Sequence, residues 1–368
     1  MPLIHVAAST KYDVNIERGT LDEAGELISA ALGKREKCGS AGSSGSALNM
    51  GTAAVISDET VFALYGERVL NSLCSAGFRT VSFTFVPGEQ SKSMATYERI
   101  LHFLSESRIT RSDVLIALGG GIVGDITGFA AATYQRGVRF VQIPTTLLAA
   151  VDSSVGGKTA INLGTGKNQV GAFYQPSLVI CDPDTLSTLP EAEYLGGCAE
   201  VIKYGVLGSE PFFRELAETH IKDQVEYVIA TCVSMKRDIV NEDEFDTGKR
   251  QLLNLGHTIG HAVEACSEFS VLHGQAVAIG MAVMARAACE KGFCSEKTRD
   301  DIIDILDKYG LPTEAPYPLG TMYEAALSDK KVSGKTINLI VPQKIGSCVI
   351  EKTEAEKLKE WMTAGGIR

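Results

Sequence analysis

The chain predicts an α/β N-terminal domain with a mostly parallel, Rossmann-like sheet, followed by a mainly α-helical C-terminal metal-binding domain. Three observations predict this. Through the first half, short apolar runs rich in β-branched residues alternate with amphipathic stretches, the pattern of strands joined by helical crossovers. From about residue 190 long helix-like segments take over. Three of the six histidines fall in one stretch, "LLNLGHTIGHAVEACSEFSVLHG" (252–274). The division is placed between an α/β domain over 1–185 and a helical domain over 186–368.

In chain order, the opening "MPLIHVAASTKYDVNIERG" lacks a basic segment followed by an apolar core, so no signal peptide is expected. The Gly/Ser-rich segment "GKREKCGSAGSSGSALNMG" (33–51) reads as a flexible surface loop. "AAVIS" (53–57), "TVSFTFV" (80–86), "VLIALGGG" (114–121), "VRFVQIP" (138–144) and "LVICD" (178–182) read as strands. Between them "SMATYERILHFLSES" (93–107) and "GDITGFAAATYQRG" (124–137) read as amphipathic helices. In the second half "EAEYLGGCAEVIKYGVLG" and "GQAVAIGMAVMARAACEKG" read as helices, with few strand signals before "KTINLIVP".

Composition narrows the function. With 45% hydrophobic and 22% charged residues in 368, the chain is an ordinary globular protein of one or two domains. A net charge of −10 argues against a general binder of nucleic acid or anionic membrane, but not against a local basic pocket. No uncharged apolar run reaches the length of a membrane span. Nine cysteines without a CxxC pair read as reduced thiols of a cytoplasmic protein.

Gly119, Gly121 and Gly124 in "ALGGGIVGD" satisfy GxGxxG between a strand and a helix, where backbone amides can approach a pyrophosphate. A tight turn with no ligand would use the same glycines. The acidic residue expected about 20 residues later for a ribose hydroxyl is missing. "VQIPTT" stands there, and the nearest candidate is Asp58, after "AAVIS". In "PGEQSKS" (87–93), Glu89 could accept from a ribose and Lys92 could pair with a phosphate. Arg136, Asp152, Lys158, Lys167, Asn168, Glu200 and Lys203 lie among small residues and glycines. Lysines so placed suit an anion, although each could pair with a local carboxylate instead. "SSVGGKT" lacks the first glycine of a Walker loop. Glu200 and Lys203 share a helix face, as a surface ion pair or as a metal ligand beside a substrate-holding lysine. His257 and His261, one turn apart, suit a metal by spacing. The position after the first is Thr258 rather than the Glu of a zinc protease, so a further ligand has to come from elsewhere.

Together, "PGEQSKS", "GGGIVGDITGFAAATYQRG", "IPTTLLAAVDSSVGGKTAIN", "GKNQVGAFYQP", "AEVIKYG", "NLGHTIGHAVE" and "LHGQAVAIGM" resemble the 3-dehydroquinate synthases, within the sugar-phosphate cyclases, from about residue 53 to 350. The resemblance implies a cytoplasmic homodimeric lyase with its active site in an interdomain cleft. Its reaction would be the second step of the shikimate pathway, towards chorismate and the aromatic amino acids. The implied substrate is 3-deoxy-D-arabino-heptulosonate 7-phosphate, a sugar acid phosphate, and the products are 3-dehydroquinate and phosphate. The implied steps are oxidation by NAD, β-elimination of phosphate, reduction, ring opening and intramolecular aldol closure.

The resemblance further implies Glu200, His257 and His273 as ligands of zinc, for which cobalt can substitute, with His261 facing the substrate. For NAD it implies Asp58, Gly88, Glu89, Gln90, Lys92, Gly120, Gly121, Ile122, Val123, Gly124, Asp125, Thr145, Thr146, Lys158, Lys167, Thr185, Leu186, Ser187 and Thr188. His261, Lys203, Lys158, Arg250 and Asn254 are implied as catalytic, and Arg136, Asp152, Asn168, Lys236 and Lys330 or Lys331 as substrate-binding. A cyclase acting on sedoheptulose 7-phosphate or glucose 6-phosphate would keep the metal and NAD but bind no carboxylate. A metal-dependent polyol dehydrogenase would need no phosphate-binding cluster.

Overall fold

A computed structural model describes residues 2–33, 50–164, 166–328 and 336–368. Most of the Gly/Ser-rich segment, together with Lys330 and Lys331, lies outside the described residues. The chain divides into two compact units, Met1–Thr188 and Leu189–Arg368.

Among the described residues the first unit holds nine strands: β1 (Leu3–Ala7), β2 (Lys11–Ile16), β3 (Thr52–Asp58), β4 (Arg79–Phe85), β5 (Val114–Gly119), β6 (Arg139–Pro144), β7 (Lys158–Leu163), β8 (Gly166–Phe173) and β9 (Leu178–Cys181). Seven form one sheet in the order β1-β2-β9-β6-β5-β3-β4. Only the β1–β2 pair in it is antiparallel. β5 is buried along its whole length, as a parallel strand covered on both faces must be. Alternate residues divide between two cores: Val55 and Ile116 face Leu21, Ile28 and Leu73, while Ala54, Ile56 and Leu115 face Ile100, Ile126 and Phe129.

From β3 the chain moves outward to β4, then returns to β5 on the other side of β3 and continues to β6 and β9. The strand order therefore reverses between β3 and β5. In open α/β sheets the crevice at the carboxyl ends of such strands is where ligands bind. The helix after β5 runs Gly121–Thr133, three residues earlier than its apolar pattern suggests, because the glycine turn is already its first turn. It stops where Gln135 (φ 53°) and Arg136 (φ 66°) turn left-handed.

Two hairpins were not expected. β1–β2 adds an antiparallel edge to the sheet, and β7–β8 forms a separate two-stranded ribbon from the lysine- and glycine-rich segment. Gly128 is what lets that ribbon lie on the helix Gly121–Thr133, since a Cβ there would stand 2.4 Å from Thr159 Cγ2.

The second unit is mainly helical, with the helices Glu191–Gly208, Val225–Glu242, His257–Cys266, His273–Glu290 and Glu296–Lys308. Its one ribbon among the described residues pairs β10 (Thr336–Lys344) with β11 (Ser347–Glu354), the second of which was not expected. Ile259, Val263, Ile279, Val283, Met322, Leu339 and Trp361 form its core. Among the described residues no helix is long and apolar enough to cross a membrane.

Candidate active site

In the first unit, the carboxyl ends of five adjacent strands carry the residues expected at a dinucleotide. Asp58 ends β3, and its Oδ1 accepts from Val61 N at 2.9 Å, capping the next helix. The Gly88–Lys92 turn follows β4. Gly120–Asp125 follows β5 and opens the helix Gly121–Thr133. Thr145 and Thr146 follow β6, Thr145 donating its N–H to Gly119 O at 3.1 Å. Thr185–Thr188 follows β9 and is held by Tyr65, whose hydroxyl donates to Thr185 O at 3.0 Å and bonds Thr188 Oγ1 at 2.5 Å. Tyr65 escaped the sequence reading because a tyrosine at a helix-core position carries no local mark of a polar partner so distant in the chain.

The glycines of this turn are packing residues as well as approach residues. A Cβ at Gly124 would stand 2.5 Å from Gln142 Oε1 on β6, and one at Gly121 3.0 Å from Ser153 Oγ. The helix N-terminus can therefore sit close over the sheet, with its free N–H groups pointing outward.

Lys92 is buried, not open to a phosphate. Its Nζ lies 2.5 Å from Asp125 Oδ2 and 2.5 Å from Asn168 Oδ1. Asn162 on β7 donates to Glu89 Oε1 at 2.7 Å, and Lys167 Nζ stands 3.6 Å from the same oxygen. Lys92, Glu89, Lys167 and Asn168 thus tie the β7–β8 ribbon to the turn after β4. The local-carboxylate alternative holds for Lys92 in this structure.

Of the expected substrate residues, Arg136 is set apart from this edge. Lys158 opens β7, whose next residue lies against Gly128, two helical turns beyond Gly121. Arg136 lies between the end of the helix and the start of β6, at the opposite edge of the sheet. There Gln135 O accepts from Arg111, just before β5. Asp152 lies in the helical turn Ala149–Ser153 that follows β6.

In the second unit, three helices converge on Glu200. It lies midway along Glu191–Gly208, only 2% exposed, and Lys203 one turn on is 1% exposed. Lys203 Nζ stands 2.5 Å from Glu200 Oε2, so the pair is a buried one rather than a surface ion pair. Glu200 Oε1 faces His257 Nε2 at 3.7 Å and His273 Nε2 at 3.5 Å, and is buried without a hydrogen-bond partner among the described residues. An orphaned buried carboxylate oxygen calls for a cation. Two ligands of a tetrahedral zinc stand about 3.3 Å apart, given bonds of about 2.0–2.1 Å. The two separations are near that value, and the three residues fit a divalent cation.

Both rings are oriented from behind. His257 Nδ1 lies 3.0 Å from Leu255 O, and His273 Nδ1 lies 3.1 Å from Glu264 Oε2. Burial, with the charge of Lys203, pushes the His257 imidazole well below its ordinary pKa and so favours its neutral form. Burial pulls His273 the same way, but the Glu200 and Glu264 carboxylates outweigh it and push that imidazole up to about 10.

The helical spacing that pairs His257 with His261 is overruled by packing. His261 groups with Glu264 and His273, and His257 with Glu200 and His273. Beside them Arg250 is buried, its guanidinium donating to Glu244 O and its backbone N to Asp243 Oδ2 at 2.9 Å. Against burial, N–H groups of Arg250, Thr247 and Gly248 hold the Asp243 carboxyl below its usual range. Asn254 Nδ2 donates to Gln251 O at 3.0 Å, and Lys236 is buried on Val225–Glu242. Glu264 and Asp243 were not singled out from the sequence. Glu264 was findable, being seven residues from His257 and so on the same helix face.

Residues 82–196 match the 3-dehydroquinate synthase N-terminal family and residues 197–332 the 3-dehydroquinate synthase C-terminal family. The chain is 42% identical over 361 residues to a 3-dehydroquinate synthase of Streptococcus suis, covering 96% of this chain and 97% of that protein. It is 40% identical over 374 residues to one of Enterococcus faecalis, covering 100% of both. In fold it is similar to a 2-deoxy-scyllo-inosose synthase solved with carbaglucose-6-phosphate, NAD+ and Co2+ (TM-score 0.84, 23% identity, 98% of this chain and 99% of that one). A 2-epi-5-epi-valiolone synthase from Streptomyces hygroscopicus, solved with NAD+ and Zn2+, also has a TM-score of 0.84, at 24% identity and 98% coverage of both chains.

Proposed function

The chain belongs to the 3-dehydroquinate synthase family, and from that premise we infer that it converts 3-deoxy-D-arabino-heptulosonate 7-phosphate to 3-dehydroquinate and inorganic phosphate. The observation that carries the reading is buried Glu200 meeting the half-buried His257 and His273, with Lys203 against it. We assign these three as the cation ligands, and the carboxyl-end turns of β3, β4, β5, β6 and β9 to the dinucleotide.

When bound at these residues, NAD would supply hydride chemistry and zinc or cobalt Lewis acidity. The chain's own residues bind and orient. Lys203, Lys236, Arg250 and Asn254 present donors for the substrate's carboxylate and phosphate, and the family resemblance assigns Asp152, Lys158, Asn168 and one of Lys330 or Lys331 to the same substrate. Burial of Arg250 and Lys203 keeps these charges out of water, where each acts on an anion more strongly. The proton beside the oxidised carbon passes to the substrate's own phosphate oxygen. The protein therefore has to hold that phosphate in a bent pose rather than provide a separate base, and His261 with Lys203 has that role. Accordingly, His261→Ala should lower kcat about 100-fold with zinc still bound at one per chain. Loss of zinc from that variant would overturn the ligand set.

The reading also makes the protein a cytoplasmic homodimer. All eight described cysteines are free, as in a reducing compartment. Arg136, at the far edge of the sheet, suits a site in a second copy better than the one above its own strands. The assay is phosphate release from the heptulosonate phosphate with catalytic NAD+. A chelator should stop it and added zinc restore it. Equal turnover of sedoheptulose 7-phosphate or glucose 6-phosphate, which lack the carboxylate, would sink the substrate assignment.

A further inference from the structure

We propose that Glu264 is a positioning residue that holds the His273 ring with Nε2 turned to Glu200 and so sets how tightly the divalent cation binds. The inference rests on the ligand assignment above. His273 is the first residue of its helix, where backbone fraying leaves a side chain least constrained. Its rotamer has to be fixed from outside, and the ring has only two polar atoms with which to do it. Nε2 is turned to Glu200 Oε1 at 3.5 Å, a ligand-to-ligand separation. Nδ1 lies 3.1 Å from Glu264 Oε2, a hydrogen-bond distance.

Glu264 is well suited to this work. It is 2% exposed, and it lies on the helix His257–Cys266, two turns beyond His257. One helix thus supplies a ligand and also steadies the ligand that arrives on the next. The carboxylate accepts the Nδ1 proton, which fixes the tautomer that leaves the Nε2 lone pair free, and its charge makes that lone pair more basic.

A competing role exists, because His261, Glu264 and His273 also gather closely enough to hold an ion themselves. That arrangement would use the His273 nitrogen that faces Glu264 and leave the buried Glu200 Oε1 without a hydrogen-bonding or coordinating partner among the described residues. The two roles predict different losses. Removing an orienting acceptor weakens metal binding by about 10–100-fold, whereas removing a ligand abolishes tight binding.

The test is a zinc dissociation constant by competition with a chromophoric chelator, for the full chain and for Glu264→Gln, Glu264→Ala and Glu200→Gln. NAD affinity and thermal unfolding of each protein serve as controls of folding. Glu264→Gln, which keeps the volume and an acceptor oxygen but not the charge, should bind zinc about 10-fold more weakly. Glu264→Ala should bind it about 100-fold more weakly. Glu200→Gln should lose tight binding, and in all three NAD affinity should be unchanged. At saturating zinc the Glu264 variants should recover most of their kcat. If both bind zinc within twofold of the parent while Glu200→Gln does not, Glu264 has no positioning role and the ligand set stands. If they lose zinc as completely as Glu200→Gln, Glu264 is itself a ligand and the proposal is wrong. If Glu200→Gln keeps its zinc, the ligand assignment fails and takes the proposal with it. Should Glu264→Ala not fold, Glu264→Gln decides.

Discussion

Glu200→Gln is expected to leave the protein folded, nearly free of tightly bound divalent metal, and slower in phosphate release by at least about 10³-fold. Polarisation of the reacting oxygen is worth several kcal/mol, and each 1.36 kcal/mol is tenfold in rate. The neutral amide keeps the volume of the side chain, which matters at a position 2% exposed. It also leaves Lys203 a dipole to face, whereas alanine would strand a buried ammonium at a cost of about 3–5 kcal/mol and confuse folding with function. Metal content by mass spectrometry and phosphate release at saturating substrate are the measurements. A variant with one metal per chain and a rate within tenfold of the parent would show that Glu200 is not a ligand.

The second large effect is expected at a residue that touches no ligand. Gly274→Ala places a Cβ 2.1 Å from Gly196 O and 2.4 Å from Gly196 Cα. Backbone cannot move aside as a flexible side chain can, so the helices Glu191–Gly208 and His273–Glu290 have to part. Overpacking of this kind costs about 3 kcal/mol or more. The damage reaches the site, because Gly274 adjoins His273 and Gly196 lies one turn before Glu200. Parting the helices by about 1 Å moves two ligands off a geometry that tolerates about 0.5 Å. A fall in Tm together with a weaker zinc dissociation constant is the expected result. Gly320→Ala is the control: its Cβ would meet nothing within 4 Å, and in the helix Leu319–Ser328 alanine should be neutral or stabilising. Equal Tm values for the two variants would contradict the packing argument.

In the first unit, the five strands read from apolar runs, β3, β4, β5, β6 and β9, are the five whose carboxyl ends we assign to the dinucleotide. Four of them, β3, β5, β6 and β9, were legible because parallel strands buried on both faces read as near-continuous apolar runs, and β4, a half-exposed edge strand, because of its β-branched and aromatic residues. The strands that were not read have the opposite character. Along β1, residues alternate exposed and buried, and most of β7–β8 is half-buried or exposed, so no continuous apolar run marks them. They are strands because a partner pairs with them, which is information carried by the partner. Lys92 shows the same limit among site residues. It looks like a phosphate lysine on composition, but the β7–β8 ribbon brings Asn168 onto it and the helix after β5 brings Asp125.

The sequence by itself determined the α/β-then-helical order, the glycine turn after β5, the family, and which residue types had to be present for an anionic substrate and a cation. These are properties of local pattern, periodicity and motif, and each is written in contiguous residues. The family resemblance implied that His257 and His273 share Glu200, but the physical reason for that choice over helical spacing lies in the tertiary packing. Spacing along one helix favours His257 with His261, yet Gly256 against Gly280 and Gly196 against Gly274 bring three helices so close that His273 and Glu200 meet His257 instead. The choice depends on distances of a few ångströms between segments far apart in the chain, and no pattern of neighbouring residues can encode it.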